Sequence, residues 1–352
     1  MNHIFSERKA SIYLILYSVF LLTSLPAFAT NPNVKYFGYD WLDFYPTVDI
    51  MDNYRHISNI HTTNMNVVHN IENLNTDACK YRRCVLNVSA GQKTYGGKVP
   101  YGRLDICPDA TNSSECNRAR GAIKSSWENI WNIAKKISTT AINRPLALYF
   151  IDEPRLQDAL QDFRGNYVPY QYAAYVCTLR QAFEHYNLKD IKIYTILARN
   201  SVENRSGQQG SIIHEINHQI PHTNCAGIRS MPDWIGIDDY SWKSDQNVDH
   251  SAEIHRIYSQ YFSAPLSPKW VLVPPSTVTV ALSPPVINDQ DLKSRIQVYW
   301  DYLKRYPNDP VVAIMAFIFD KEVLHADDVS NPRYPQSRAL LRFMGNTYSR
   351  VR

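Results

Sequence analysis

The stretch Leu146-Ala147-Leu148-Tyr149-Phe150-Ile151-Asp152-Glu153-Pro154 runs six apolar residues straight into two adjacent carboxylates, and a proline ends it. Paired acids at the end of a buried segment suit proton transfer. Partial burial and the neighbouring like charge both disfavour a second ionised carboxylate, so one pKa of the pair rises and a proton stays available near neutral pH. The competing reading is an ordinary solvated strand end, so the elements around the pair must decide. A continuous apolar run reads as a strand buried on both faces, as in a parallel sheet. Such sheets bind ligands beyond the carboxyl ends of their strands, which is where Asp152 and Glu153 fall.

Two further groupings carry chemistry. Asp238-Asp239-Tyr240-Ser241-Trp242 sets two acids beside two aromatic rings. His214-Glu215-Ile216-Asn217-His218 has the HExxH spacing of zinc proteases. On a helix its histidines would share one face and hold zinc, with Glu215 as base. Gln208-Gln209-Gly210 and Pro221 bracket this stretch closely, which favours a surface helix with incidental histidines. The site expected from the other residues holds no metal.

The elements that would position these groups alternate. Strand-like runs occur at Val34–Tyr39, Asn66–His69, Cys84–Val88, Leu146–Ile151, Ile191–Leu197, Trp234–Ile237, Trp270–Val273 and Val311–Phe319. Amphipathic stretches of helical length lie between them, at Ser114–Ser138, Val168–Tyr186, Ser251–Phe262 and Asp289–Tyr306. Eight β/α units over this length predict a single-domain α/β fold, the (β/α)₈ TIM barrel. The first strand carries one glycine, Gly38, and no Gly-rich phosphate loop follows it or occurs elsewhere. No nucleotide or other cofactor is therefore expected.

In a barrel, reacting groups come from the carboxyl ends of several strands. Here those ends supply Asp40 and Trp41, Asp152 and Glu153, Asn200, Asp238 to Trp242, and Asp320. Acids, amides and aromatics in one mouth match glycoside hydrolysis. That reaction needs one carboxylic acid to protonate the leaving oxygen and usually a second carboxylate as nucleophile or base. Asp238 and Asp239 are the candidates for the second acid, with Asp320 behind them. Tyr240 could hydrogen-bond the substrate, and Trp41 or Trp242 could form the floor beneath a sugar ring.

The Phe150-Ile151-Asp152-Glu153-Pro154 segment resembles the acidic strand-four end of (β/α)₈ glycoside hydrolases, many of which carry Asn-Glu-Pro there. An adjacent Asp-Glu pair is instead similar to hexosaminidase-type enzymes. That resemblance implies Glu153 as general acid and Asp152 as the carboxylate that orients a substrate 2-acetamido group acting as nucleophile. A departure fits this version: the seventh strand ends in Pro274-Pro275-Ser276, with no acid where the Asn-Glu-Pro enzymes keep their nucleophile. The expected partner is a carbohydrate substrate. A barrel that binds glycan without cleaving it, and a zinc protease using His214, Glu215 and His218, are the alternatives.

The rest of the chain sets the context. Arg8 and Lys9, an apolar stretch over Ile12–Leu25 and Ala27-Phe28-Ala29 read as a secretory signal peptide over residues 1–29, cleaved after Ala29. Residues 30–352 would then form the barrel, secreted or periplasmic. No later segment is long and apolar enough to span a membrane. The formal charge of +4 falls to +3 without the leader, and no basic run with interleaved aromatics indicates nucleic acid. All six cysteines lie beyond the leader, as expected of an exported, disulfide-bonded chain. Spacing pairs Cys79 with Cys84 and Cys107 with Cys116 as loop staples, leaving Cys177 and Cys225, though six cysteines permit 15 connectivities.

Overall fold

The computed structural model describes residues 31–41, 65–68, 70–80, 83–88, 128–152, 171–203, 213, 216, 231–244, 247–262, 268–278, 286, 288–318, 327–328 and 333–348. The strands are β1 (Tyr36–Trp41), β2 (Met65–Val68), β3 (Arg83–Asn87), β4 (Ala147–Asp152), β5 (Lys192–Ala198), β6 (Trp234–Asp238), β7 (Lys269–Leu272), β8 (Thr277–Val278), β9 (Val311–Ile318) and β10 (Asp327–Asp328). The eight expected strands are all present within two residues of their expected bounds. They form one parallel sheet in the order β1-β9-β7-β6-β5-β4-β3-β2. Short β8 and β10 pair antiparallel apart from it.

The longer helices are α1 (128–140), α2 (Gln171–His185), α3 (Arg199–Glu203), α4 (His250–Phe262), α5 (Asp289–Arg305) and α6 (Pro335–Tyr348). The first runs two residues past its expected end, and residues 114–127 of that expected helix lie outside the described residues. Helix α2 ends where Asn187 adopts φ 57°, with the Leu188 and Asn187 amides donating back to the Phe183 and Glu184 carbonyls. That is the left-handed C-terminal motif an asparagine tolerates. Helix α6 was not foreseen. It packs on α5 and β1.

Strand alternation divides the apolar residues into two layers. Met65, Val85, Tyr149, Tyr194, Trp234 and Met315 belong to a cluster inside the barrel. Phe37, Leu148, Ile193, Ile235 and Leu272 belong to the larger cluster between strands and helices. Tyr258 on α4 ties the two layers together. Its hydroxyl donates to the Val271 carbonyl at 2.7 Å and accepts from the Ile237 amide at 2.8 Å, bridging β6 and β7. Burial pushes its pKa well above the ordinary tyrosine value, so it stays neutral in this role.

The barrel is nearly closed. Strands β1 and β2 lie side by side without a ladder between them. Their approach depends on Gly38: a Cβ there would stand 2.4 Å from the Met65 carbonyl oxygen. Any side chain would push the two strands apart. Cys79 and Cys84 form the first expected disulfide, with Cα atoms 5.5 Å apart. Cys177 is also disulfide-bonded, and Cys107, Cys116 and Cys225 lie outside the described residues. Among the described residues no helix is long and apolar enough to cross a membrane.

Replacing Gly38 with Ala is expected to destabilise the protein by about 1–3 kcal/mol, the usual cost of forcing a methyl group into packed surroundings. Urea unfolding monitored by circular dichroism measures it. An unchanged midpoint would mean that the seam does not need this close approach.

Candidate functional site

The carboxyl ends of the strands form the mouth where chemistry was expected. Its inward positions follow from the register. Asp40 on β1 pairs with Phe317 of β9, and Phe317 belongs to the inner cluster. On β6 the inward series begins at Trp234 and passes Gly236 to Asp238, whose partner is Ala198. Asn87 ends β3 two residues beyond the inward Val85 and is buried.

Strand β4 needs a correction to reach the same layer. Tyr149 faces inward, so plain alternation would send Ile151 inward and Asp152 outward. Instead the register slips between Tyr149 and Ile151. Phe150 and Ile151 both join the outer cluster, and Asp152 becomes the register partner of Ile196, an inner-cluster residue. A bulge of this kind re-aims the chain next to functional sites. Three aspartates, on β1, β4 and β6, thus occupy register positions of the inner face at the same end of the barrel.

The two adjacent acids of β6 go separate ways. Asp238 is 8% exposed, within the barrel wall. Its charge, added to the dominant effect of burial, raises the pKa values of Tyr258 and Tyr299. Asp239, the next residue, turns to the outer rim. Its Oδ2 accepts from Arg199 Nη1 at 2.7 Å and its Oδ1 from the Ser241 amide at 2.7 Å.

Arg199 collects two more carboxylates. Its Nε donates to Glu203 Oε2 at 2.7 Å, and its Nη2 donates to Glu253 Oε1. Glu253 Oε2 lies 2.9 Å from His250 Nδ1 and accepts from Trp242 Nε1 at 3.1 Å. Arg256 donates to Glu203 Oε1 at 2.6 Å. Burial opposes the Arg199 charge, but the hydrogen bonds and charges of Asp239, Glu203 and Glu253 outweigh it and hold the guanidinium still more firmly protonated. Burial likewise works against ionised Glu203. Arg256 and Arg199 prevail, and its carboxyl sits below the usual glutamate range.

Helix α5 fixes the same rim from the other side. Arg295, fully buried, donates to the Tyr240 carbonyl and, at 3.2 Å, to Asp291 Oδ2. Lys243 pairs with Asp291 Oδ1 at 2.5 Å, and the Ser244 amide donates to the Ser294 carbonyl at 3.1 Å. Tyr240 stacks on Phe317, with ring centroids 6.2 Å apart and planes 21° apart. It is half-buried at the mouth. Trp242 is only 1% exposed, its indole packed on Tyr299 and beneath the Arg199 guanidinium. It presents no open face to a sugar ring, because the ion cluster and α5 already cover it.

Of the other expected site residues, Asn200 is exposed on α3. Asp40, Trp41 and Asp152 are placed by their strands alone. Glu153, Asp320, His214, Glu215 and His218 lie outside the described residues. Ile213 and Ile216, among those histidines, are helical and buried. No group of His, Cys, Asp and Glu able to hold a metal occurs among the described residues. Sequence reasoning placed Arg199 at the end of the fifth strand without giving it a role, and it overlooked Asn87 and Phe317. Signals were present for two of them: Arg199 is the one cation beginning a strand-end segment otherwise rich in acids and amides, and Asn87 interrupts an apolar strand.

No family model matches the sequence, and no curated protein matches it. Solved structures do match. The chain is similar to GH5_18 from Streptomyces cattleya in complex with GlcNAc, with a TM-score of 0.57 and 11% identity over 90% of this chain and 81% of that one. A variant of that protein in complex with Manβ1-4GlcNAc matches with a TM-score of 0.52 and 10% identity, over 90% of this chain and 80% of that one. The β-glucuronidase of Ruminococcus gnavus matches with a TM-score of 0.50 and 10% identity over 89% of this chain, which spans 50% of the length of that protein. The fold is therefore a (β/α)₈ barrel like that of these structures.

The Glu203 pairing makes a pH prediction. A carboxyl held below its ordinary value contributes stability that is complete above the unfolded-state pKa and is lost as pH falls through the folded one. The stability difference between wild type and Glu203→Gln is expected to be constant above about pH 5 and to shrink below about pH 4, around the ordinary glutamate pKa. Denaturant midpoints measured from pH 3 to pH 7 provide the check.

Proposed function

We propose that this chain is an exported glycoside hydrolase, with Glu153 as general acid and Asp152 as the carboxylate assisting at the anomeric centre. The register slip in β4 carries the reading. A strand that spends a bulge to bring Asp152 into line with the inner layer is hard to explain by packing, since Tyr149 and Ile151 would satisfy an undistorted strand. The slip delivers the chain to the mouth one residue before Glu153, at the same end of the barrel as the inner-face positions of Asp40 and Asp238. Asp238 is the better candidate for a second carboxylate. Asp239 is committed to Arg199 and to the Ser241 amide, whereas Asp238 lies on the inner series. Tyr240, stacked on Phe317, is the aromatic group best placed to meet a sugar.

The seventh barrel strand supports the substrate-assisted version. Beyond β7 the chain continues Val273-Pro274-Pro275-Ser276, and the Ser276 hydroxyl donates to the Phe317 carbonyl at 2.6 Å. It carries no carboxylate there to act as nucleophile. A 2-acetamido sugar supplies its own, with Asp152 orienting the acetamido group and Glu153 protonating the leaving oxygen. The GlcNAc complex of the similar Streptomyces structure agrees with this choice of sugar. The same missing acid also favours a second reading, a barrel that holds glycan without cleaving it.

Glu153→Gln is expected to fold normally and to lose at least about 100-fold in kcat on an oligosaccharide whose leaving group is an unactivated sugar hydroxyl, the lower bound for removing a general acid. Wild-type activity in that variant would overturn the assignment. Asp152→Asn separates the versions. Under substrate assistance, wild type cleaves 4-nitrophenyl N-acetylglucosaminide but not the glucoside, and Asp152→Asn loses about 100-fold or more on the former through the missing charge. Equal cleavage of both glycosides would remove the acetamido role. Glycan binding by wild type with no cleavage of either would favour the binding barrel.

A further inference from the structure

We propose that Arg199 is the positioning residue of the barrel mouth, a clasp that carries the β5–β6 pairing one residue past its last backbone partner and so fixes where Asp238 and Tyr240 stand. It deepens the glycosidase reading and rests on it for its consequence in turnover, while the clasp itself can be measured without substrate. The last ladder pair joins Ala198 to Asp238. No backbone pairing continues beyond it, because β5 turns at once into α3. The next two residues are joined by side chains instead, Arg199 Nη1 to Asp239 Oδ2 at 2.7 Å.

Asp239 relays this anchor to the chain that follows. Its second oxygen accepts the Ser241 amide at 2.7 Å, an Asx-type turn that leaves Tyr240 stacked on Phe317. From the opposite side, Tyr299 Oη donates to the Asp239 carbonyl at 3.4 Å, and Arg295 donates to the Tyr240 carbonyl. The segment is thus gripped from the start of α3 by one arginine and from α5 by another. Around Arg199 stand Asp239, Glu203 and Glu253, with Arg256 and His250 behind the two glutamates.

This is a poor way to gain stability and a good way to fix geometry. Bringing charges into a side chain only 22% exposed incurs desolvation that an apolar replacement would avoid. The guanidinium, however, presents its donors in a rigid planar fork. Nε, Nη1 and Nη2 each address a different carboxylate, so the arginine registers α3, the end of β6 and α4 against one another. Trp242 seals the cluster, its ring 5.6 Å from the Arg199 Cζ.

The test uses Arg199→Gln, Arg199→Lys and Asp239→Asn, each checked for folding by circular dichroism. Arg305→Gln, which removes the exposed pair with Asp249, is the control. Native-state hydrogen exchange over residues 239–244 is expected to quicken about tenfold or more in Arg199→Gln and Asp239→Asn, the scale of one lost charge-assisted hydrogen bond. Arg305→Gln should leave it unchanged. On 4-nitrophenyl N-acetylglucosaminide, kcat should fall about 10- to 100-fold, the cost of misplacing a reacting group, with KM little altered. Arg199→Lys keeps the charge but not the fork, so it should recover thermal stability without recovering kcat. Unchanged exchange in a folded Arg199→Gln protein overturns the clasp. If that variant does not fold, Asp239→Asn carries the same decision. Faster exchange with kcat intact overturns its role at the site. If wild type does not cleave the probe, the glycosidase reading fails on this substrate, and the exchange measurement alone still decides the clasp.

Discussion

An eight-stranded parallel sheet makes an inside only if its two edge strands come together, and in this chain that condition narrows to the seam between β1 and β2, which approach without a ladder. Gly38 lets the two strands meet, because the space a Cβ would need is taken by the Met65 carbonyl. Everything else follows from that near-closure. It makes an inside, so every second residue of every strand must either fill the barrel or line its mouth. It fixes the mouth as the place where the ends of strands far apart in sequence come together.

The inner layer is filled by bulky residues low in the barrel and changes character at the top. Tyr149, Tyr194 and Trp234 occupy the interior, with the Tyr149 and Tyr194 rings 5.0 Å apart and the Tyr194 and Trp234 rings 6.3 Å apart. Above them the inner-face positions become Asp40, Asn87, Asp152 and Asp238. A bulge in β4 and an ion cluster beyond β5 and β6 are both spent at that level. Neither improves the apolar core, and both determine which acid faces which way.

The strand pattern was legible because a strand buried on both faces must be apolar throughout, and such runs are rare outside this setting. Helix α6 was missed although Leu341, Met344 and Tyr348 recur at helical spacing, and what holds it is its contact with α5 and β1. Trp242 shows the limit of reading side chains one at a time. An aromatic residue at a strand end could serve equally as platform or as packing, and the choice was made by Glu253, Arg199 and Tyr299, which the sequence places 11, 43 and 57 positions away. Asp238 and Asp239 look interchangeable in the sequence. Alternation along β6 makes them opposites.

The sequence by itself determined the eight strands, their order of appearance and the rank of acids, amides and aromatics at their carboxyl ends, because periodicity and burial are local properties of the chain. Only the tertiary structure decided which of those residues share the inner face. That depends on register, and register depends on partners: one slipped residue between Tyr149 and Ile151 moved Asp152 from the outer series to the inner one. It also depends on ion pairs between segments, which drew Asp239 to Arg199 and left Asp238 within the barrel wall.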